Sequence, residues 1–290
     1  MNIEEFISKK FPKSLVLENI SLEEKNDADF YYTNSKADAI YGFESIKKNL
    51  NKKHKILEIG GGLHFLSNYL SFLGHSVTSI EPGGFGSYID IMRKKTLEIS
   101  KDKFEIITSD LENFSEKNPN NLFDFIFSIN VLEHVKDIKI HLKKSISLLK
   151  DKDSRMYVRC PNYLFPFEPH FYKFFIPFFP NFTFKKLYKK KLIHDLGEKR
   201  YYNLIDHLNL DCNYLNIKKN NIPFKLHNPS ESIFERIEKD EVFKSRLFSN
   251  KLIKYIYKFL IFFRKKKLVI IFFPIFLNPY LIMEFKKDKE

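Results

Sequence analysis

The segment Lys55-Ile-Leu-Glu-Ile-Gly-Gly-Gly62 constrains the fold more than any other part of this 290-residue chain. A short apolar strand, residues 55–59, runs into three glycines, and a helix-like stretch over residues 63–73 follows at once. Glycines let a backbone approach a ligand where side chains would block it. The N-terminus of the next helix also points at that ligand. We therefore expect Gly60, Gly61 and Gly62 to form a ligand-binding turn.

Four further strand-like segments alternate with helical stretches, at residues 76–80, 104–108, 123–128 and 155–159. Five strands alternating with helices predict an α/β fold, a Rossmann-like, doubly wound and mostly parallel sheet with helices on both faces. Ligands in such sheets bind beyond the carboxyl ends of the strands. Polar residues lie at or just past the ends of the first four strands: Glu58, Glu81, Asp110 and Asn130. Their joint placement predicts one binding edge.

Glu81 ends the second strand, 23 residues after Glu58, which is near the ~20-residue offset of dinucleotide-binding folds. One carboxylate can accept hydrogen bonds from both hydroxyls of a ribose, so we predict that Glu81 binds ribose. A solvated strand end is the alternative for Glu81, and a simple tight turn is the alternative for the three glycines. Asp110 is also a favoured residue type for capping the helix that follows it.

The spacing Glu58-x-Gly60-x-Gly62 resembles Glu-x-Gly-x-Gly-x-Gly, the first motif of class I S-adenosylmethionine-dependent methyltransferases, with His64 in place of the third glycine. The fourth strand and Leu132-Glu-His-Val135 resemble the corresponding motif of small-molecule methyltransferases. The resemblance implies S-adenosyl-L-methionine as cofactor. It also implies that Asp110 faces the adenine amino group, and that Leu111 and Asn130 are among the cofactor-binding residues.

An aromatic segment follows the fifth strand, with twelve Phe or Tyr among residues 163–188. Its first part, Pro161-Asn-Tyr-Leu-Phe-Pro-Phe-Glu-Pro-His170, resembles bacterial methyltransferases of cell-surface glycan synthesis. His134, His170 and Glu168 are the candidate catalytic residues, because a histidine beside a carboxylate can act as general base toward a hydroxyl. The alternative is that Glu168 and His170 only stabilise a proline-rich loop, and that Glu133 and His134 only cap a helix or line the pocket.

Leu132-Glu-His-Val135 is also similar to the motif of ubiquinone-type O-methyltransferases. In those enzymes the Glu, the His and an acid three residues before the Glu bind a metal. Here that earlier position holds Asn130, a poorer ligand than a carboxylate, so we expect no metal and activity that persists in excess chelator.

Three regions are predicted: an N-terminal helical lid (1–54), an S-adenosylmethionine-binding core (55–160), and a substrate-side insertion with C-terminal helices (161–290). The segment 29–33, with three aromatic residues, suits a position over the cofactor, with plain helix packing as the alternative. The last core strands are expected at about 211–218 and 280–286.

Charge is divided unevenly along the chain. Residues 1–150 hold 21 Lys+Arg and 21 Asp+Glu, so 28 and 15 of the totals of 49 and 36 remain for residues 151–290, which carry the whole net charge of +13. An anionic partner is therefore expected for the second half. Within the basic, aromatic segment 252–277, the apolar run 268–277 is interrupted by Pro274 and has only ten residues, too few to span a bilayer, which takes ~20. The segment predicts peripheral contact with an anionic membrane, with a buried helix as the alternative.

The two cysteines do not make a disulfide framework, and the N-terminal residues do not resemble a signal peptide. The expected location is the cytoplasm, with a possible place at the inner membrane surface. We expect O-methylation of a small molecule, sugar or lipid-linked glycan. One alternative is an RNA methyltransferase. Such an enzyme would use Cys160 as a nucleophile or an Asn-Pro-Pro-Tyr motif after the fourth strand, and that motif is missing here. The other alternative is a non-catalytic scaffold of glycan assembly, which His64 favours. A Rossmann dehydrogenase fits the fourth-strand motif less well. The acceptor and oligomeric state are not indicated.

Overall fold

A computed structural model describes residues 1–51, 53–84, 87–100, 104–168, 170–171, 173–176, 178–228 and 278–287, and scattered residues between 229 and 277. The chain divides into two compact units. The first comprises residues 1–129, 141–157 and 285–290, and the second comprises residues 130–140 and 158–284.

The first unit begins with three helices, α1 (Ile3–Lys10), α2 (Lys13–Val16) and α3 (Lys25–Ile46), followed by a 3-10 turn, Lys47–Asn49. The Asn2 side chain caps α1 by accepting from the Glu5 N–H at 2.8 Å. The Tyr32 hydroxyl of α3 donates to the Phe11 carbonyl at 2.6 Å. The helical prediction for residues 1–54 is therefore confirmed, while a lid function stays a prediction.

Strands and helices then alternate as the sequence predicts. The elements are β1 (Lys55–Ile59), α4 (Phe65–Phe72), β2 (Ser76–Ile80), α5 (Ser87–Ser100), β3 (Glu105–Ile107), α6 (Leu111–Lys117), β4 (Phe125–Ile129), α7 (Ile138–Ser147) and β5 (Arg155–Pro161). Residues 56–59 of β1 are all buried, as expected for a parallel strand whose two faces are both covered.

The first unit orders its strands β3-β2-β1-β4, with the beginning of β5 next. β1 pairs in parallel with both β2 and β4, so that Ile59 lies opposite Ile80 on one side and Ser128 on the other. The carboxyl ends of these three strands therefore meet at one edge. The chain turns outward in both directions from β1 and β4, which is the topological switch point where open α/β sheets bind ligands. The predicted Rossmann-like, mostly parallel fold is confirmed.

Among the described residues, the second unit contains the rest of β5 and further helices and short strands. These are β6 (Phe167–Glu168), β7 (Lys173–Phe174), α8 (Pro180–Phe182), α9 (Lys189–Leu196), α10 (Glu198–His207) and α11 (Tyr214–Lys218). A strand pair completes it, with β8 (Lys225–His227) antiparallel to β9 (Tyr280–Lys286). The strand expected at 280–286 is confirmed.

The strand expected at about 211–218 is wrong. The Asn213 side chain accepts from the Asn216 N–H at 3.0 Å and so starts helix α11. An Asn cap favours a helical start over a strand. The strand that pairs with β9 is β8, further along the chain.

Most of the segment 252–277 lies outside the described residues. In the described part of the chain, no helix is both long and apolar enough to cross a bilayer.

Candidate functional site

The glycine turn is anchored to the end of β2. The N–H groups of Gly60 and Gly61 donate to the Ile80 carbonyl at 2.9 and 3.2 Å. Gly62 has a φ of 54°, in the left-handed region that favours glycine. A Cβ at Gly61 would lie under 3.0 Å from the Ser79 hydroxyl. The turn therefore depends on glycine for space at one position and for backbone conformation at another.

His64 occupies the position of the missing third glycine and takes a left-handed φ of 56°. Its Nδ1 lies 2.9 Å from the Ser79 hydroxyl, and the residue is 1% exposed. Burial, together with the nearby Arg93 charge, lowers the pKa of His64 to about 3. A neutral histidine thus adopts a backbone conformation that glycine takes without cost.

Glu58 lies beneath the turn and is 6% exposed. Its Oε2 accepts hydrogen bonds from the Ser67 hydroxyl of α4 and, at 3.0 Å, from the Ser79 hydroxyl of β2. Burial raises the pKa of Glu58 to about 7, while the two hydroxyl donors act in the opposite direction. The carboxyl group therefore fastens the glycine turn to the elements on either side of it.

Glu81 lies at the carboxyl end of β2, as predicted. Its Oε2 accepts from the Gly62 N–H at 2.8 Å, and its Oε1 lies 3.4 Å from the Arg93 guanidinium. Arg93 Nε in turn donates to the Gly62 carbonyl at 3.2 Å. Burial raises the pKa of Glu81, whereas the Gly62 N–H and Arg93 lower it. Glu81, Gly62 and Arg93 form one hydrogen-bonded group at the sheet edge.

Arg93 was missed by the sequence reasoning. It is the only arginine among the first 150 residues. Arginine forms bidentate, always-charged contacts that lysine does not reproduce. An arginine in a helix that otherwise contains lysines was therefore the sequence signal that could have identified Arg93 as a site residue.

Tyr31 of helix α3 reaches the same group from the N-terminal region. Its hydroxyl lies 3.8 Å from the place where a Gly62 Cβ would stand. Burial raises the pKa of Tyr31 to about 12, with Glu81 adding to the rise and Arg93 opposing it. The aromatic segment predicted to lie over the cofactor thus contributes a side chain to the glycine turn.

Asp110 caps helix α6. Its Oδ1 accepts from the Asn113 N–H and its Oδ2 from the Asn113 side-chain amide, both at 2.7 Å. Leu111, the first residue of that helix, is 2% exposed. The structure therefore bears out the capping alternative, and contact of Asp110 and Leu111 with adenine stays a prediction.

In the second unit, Asn130 follows β4 directly and has a φ of 55°. Its N–H donates to the Arg159 carbonyl at 2.8 Å. The side-chain oxygen is buried and has no hydrogen-bond partner among the residues that the structure describes. A 3-10 turn, Leu132–His134, comes next and buries Glu133 completely.

His134 and His170 lie together, with ring centroids 5.6 Å apart. His134 Nδ1 lies 3.0 Å from the His207 carbonyl, which can only accept, so this nitrogen carries the proton. Desolvation and the nearby His170 lower the pKa of His134, although the residue is exposed to solvent. His134 is therefore a neutral ring at pH 7 with its lone pair on Nε2.

Glu168 orients His170. One carboxylate oxygen lies 2.5 Å from His170 Nδ1 and also accepts from the Tyr163 hydroxyl at 3.2 Å. The other accepts from the Phe171 N–H at 2.6 Å. Glu168 is completely buried. Glu168 and His170 therefore stabilise their loop, as the alternative prediction stated. Glu168 also holds the His170 ring in one orientation.

Ligand atoms of Glu133, His134 and His170 all lie within 4.8 Å of one another. The structure thus brings the three predicted catalytic residues of the second unit together and adds Glu133 to them.

Cys160 and Cys212 are buried free thiols. Hydrogen bonding to Cys212 and burial hold the pKa of Cys160 well above its usual value. A cysteine nucleophile must be a thiolate, so Cys160 is unsuited to the attack on a base that one RNA-methyltransferase mechanism requires.

Residues 32–210 match the methyltransferase-domain family. The chain belongs to this family. Membership confirms the predicted class and leaves the glycan-synthesis resemblance as a prediction. The uncharacterized proteins MT1557 and Rv1509 of two Mycobacterium tuberculosis strains, CDC 1551 and H37Rv, are each 38% identical over 119 residues. That match covers 40% of this chain and 39% of each relative, so this chain spans about two fifths of their length.

Two solved structures show weaker likenesses. The plantazolicin methyltransferase BpumL, in complex with a monoazolic desmethylPZN analog and SAH, is 13% identical, with 99% of both chains covered and a TM-score of 0.47. Coclaurine N-methyltransferase, bound to N-methylheliamine and SAH, is 16% identical over 43% of this chain and 35% of its own, with a TM-score of 0.35.

Proposed function

We propose that the protein is an S-adenosyl-L-methionine-dependent methyltransferase that methylates an oxygen of a small molecule, a sugar or a lipid-linked glycan. Family membership supports the class. The observation that carries the cofactor assignment is the group of Glu81, Gly62 and Arg93 at the switch point of the sheet. The cofactor supplies an activated methyl group on a sulfonium, so the protein contributes mainly binding and orientation.

Glu81 would hold the ribose. The Gly62 N–H uses one acceptor position of its carboxylate, and an ionised carboxylate has about four such positions. Two ribose hydroxyls can therefore bind without displacing that contact. Arg93 keeps a positive charge beside Glu81 and favours its ionised form despite burial. The glycine turn would let the backbone lie against the cofactor.

His134 and His170 would activate the acceptor hydroxyl. Each ring has its Nδ1 held by a neighbouring oxygen, so each can present Nε2 as a base. A base at His170 would take the hydroxyl proton on Nε2, and the Glu168 carboxylate would stabilise the resulting imidazolium. Support comes from the sequence, because Leu132-Glu-His-Val135 resembles the motif of small-molecule methyltransferases.

Calorimetry with S-adenosylmethionine tests the cofactor assignment. We expect a micromolar dissociation constant, on the order of −8 kcal/mol. Glu81→Ala should weaken binding by about 1.5–3 kcal/mol, since it removes the acceptor of both ribose hydrogen bonds. Glu98→Ala is the matched control, because Glu98 is exposed on helix α5. Tighter binding of NAD than of S-adenosylmethionine would reject the proposed class.

Turnover tests the base. Replacing His170 by Ala should lower the rate ~10²–10⁴-fold with little change in cofactor affinity. If His134→Ala and His170→Ala both keep near-normal rates on the true acceptor, positioning alone suffices and neither ring is the base.

An RNA methyltransferase and a non-catalytic scaffold of glycan assembly remain the alternative functions. Methyl incorporation from labelled cofactor separates them, because a scaffold would bind the cofactor without incorporation, and an RNA enzyme would label RNA in preference to glycan extracts. We propose a cytoplasmic location for this reaction.

A further inference from the structure

The group of Glu133, His134 and His170 has the composition of a metal site. One carboxylate and two imidazoles converge, and their ligand atoms lie within 4.8 Å of one another. They come from two separate parts of the second unit, the turn after β4 and the loop after β6. We propose that these three side chains bind a divalent transition-metal cation.

Both histidines are prepared as ligands by their outer contacts. The His207 carbonyl accepts from His134 Nδ1, and the Glu168 carboxylate faces His170 Nδ1 at 2.5 Å. Metal-binding histidines characteristically donate their other ring nitrogen to a carbonyl or a carboxylate, which fixes the tautomer and the ring orientation. Here both contacts leave Nε2 with its lone pair. Glu168 itself is held by the Phe171 N–H and the Tyr163 hydroxyl.

The ligand set also selects among cations. Two imidazoles with one carboxylate suit Zn²⁺, Fe²⁺, Co²⁺ or Mn²⁺, whereas Mg²⁺ and Ca²⁺ prefer oxygen ligands. The third ligand is His170, whereas ubiquinone-type O-methyltransferases have an acid at the position of Asn130. Three protein ligands leave further coordination positions for water or for an acceptor oxygen.

The use of the cation rests on the proposed function. A bound acceptor hydroxyl would lose its proton to water more readily beside the cation. With the metal bound, the two histidines would therefore activate the hydroxyl as metal ligands, and this role would replace the general-base role proposed above. This reverses the expectation that activity persists in excess chelator.

Zn²⁺ titration of the metal-depleted full chain, without cofactor, tests the site. Competition with a chromophoric chelator should give one site per chain, and Co²⁺ should give ligand-field absorption. His170→Asn should weaken Zn²⁺ binding on the order of 100-fold or more, and Glu168→Gln, which alters only an outer contact, about 10–100-fold. His194→Asn is the matched control, because the His194 side chain is 89% exposed.

Two results would overturn the site: wild-type affinity no higher than that of a His134→Asn/His170→Asn double variant, or equal competition by Mg²⁺. Glu133→Gln tests the buried ligand. If that variant does not fold, His170→Asn still tests the site, because His170 is only half-buried. Glu81→Ala should lose cofactor affinity and keep Zn²⁺ affinity. Failure of the metal site is therefore distinguishable from failure of the proposed function.

A second, independent feature is an exposed aromatic surface next to β7 and α8. Its apolar residues are 43–74% exposed: Ile176, Phe178, Phe179, Phe182 and Leu187. Phe178 has a φ of 68°, a backbone conformation that bulky residues rarely adopt. The Thr183 hydroxyl accepts from the Ile176 N–H at 3.1 Å and donates to the Phe179 carbonyl at 2.8 Å. The loop is therefore held in a shape that displays these rings.

Lysines adjoin this aromatic surface in the chain, and four of them are exposed: Lys185, Lys186, Lys190 and Lys191. Large apolar rings beside clustered lysines match an anionic bilayer, whose interface accepts the rings and whose headgroups attract the charges. We infer that the aromatic surface binds the anionic inner face of a membrane, at residues distinct from the segment 252–277.

Co-sedimentation of the full chain with vesicles tests this inference. Anionic phosphatidylserine vesicles should bind the protein, zwitterionic ones about tenfold less, and binding should fall with salt. The double variant Phe178→Ser/Phe179→Ser should lose most of the binding, whereas Leu22→Ser, a control residue that is 86% exposed, should not. Equal binding to both vesicle types, unchanged binding of the double variant, or sedimentation without vesicles would each overturn the inference.

Discussion

Glu58 gives the protein a pH-dependent stability that can be worked out from its surroundings. Burial raises its pKa from 4.5 to about 7. Between these values the folded state keeps a proton that the unfolded state releases, so the free energy of unfolding falls as pH rises. One pKa unit corresponds to about 1.4 kcal/mol. The stability contributed by protonated Glu58, fully present below pH ~4.5, should thus decrease by about 3 kcal/mol by pH ~7.

Glu58→Gln isolates this effect, because glutamine keeps an acceptor for the two serine hydroxyls and cannot ionise. Urea unfolding of both proteins between pH 4.5 and 8 should show the stability of the wild type, relative to the variant, falling by about 3 kcal/mol. His64 acts in the opposite direction, since its pKa of about 3 makes stability fall as pH drops below ~6.5. Both proteins contain His64, so its contribution cancels. A stability difference that stays constant over this range would refute the reasoning.

Two further variants test the glycine turn. Gly61→Ala should cost about 1–3 kcal/mol of stability by overpacking against Ser79 and His64 and should abolish cofactor binding in calorimetry. Gly74→Ala meets only open space at a φ of 93°, so it should lose stability through backbone strain alone and leave cofactor binding unchanged; equal loss of binding in both variants would contradict the steric argument. Arg93→Met should weaken S-adenosylmethionine binding about tenfold and steepen its loss below pH 6, because Glu81 would then protonate more easily; a pH profile identical to the wild type would exclude Arg93 as the residue that keeps Glu81 ionised.

The sequence predicted those parts of the site that depend on local pattern. β1 and β2 have the predicted bounds, because each is a short run of strand-forming residues closed by glycine or by an acid. Glu81 lies at the predicted strand end for the same reason. Arg93 and Tyr31 were not predicted as site residues, since each reaches the glycine turn through helix packing, 31 residues in sequence from Gly62 in both cases. Their contacts depend on the placement of α5 and α3 against the sheet.

Short polar side chains determine the local structure at two places where the sequence allowed two interpretations. Residues 212–217 contain enough apolar positions for either a strand or a helix, and short runs of this kind do not separate the two. The Asn213 cap selects the helix. At Asp110, both carboxylate oxygens accept from Asn113, which bears out the capping alternative and leaves contact with adenine as a prediction. In both cases a short polar side chain binds a group three residues further along the chain, which is how Asn and Asp act near helix starts.

His64 was the one feature that favoured a non-catalytic scaffold, because it breaks the glycine pattern of the first motif. The structure shows that the departure lies in the side chain and not in the backbone, since His64 takes the left-handed φ that glycine adopts freely. Such a conformation costs on the order of 1–3 kcal/mol for a non-glycine residue. Packing of the buried ring and the contact of its Nδ1 with the Ser79 hydroxyl hold the residue in this conformation. Ser79 also donates to Glu58, so His64 is joined to the carboxylate beneath the turn. The histidine therefore supports the binding turn, and the scaffold alternative loses the sequence feature on which it rested.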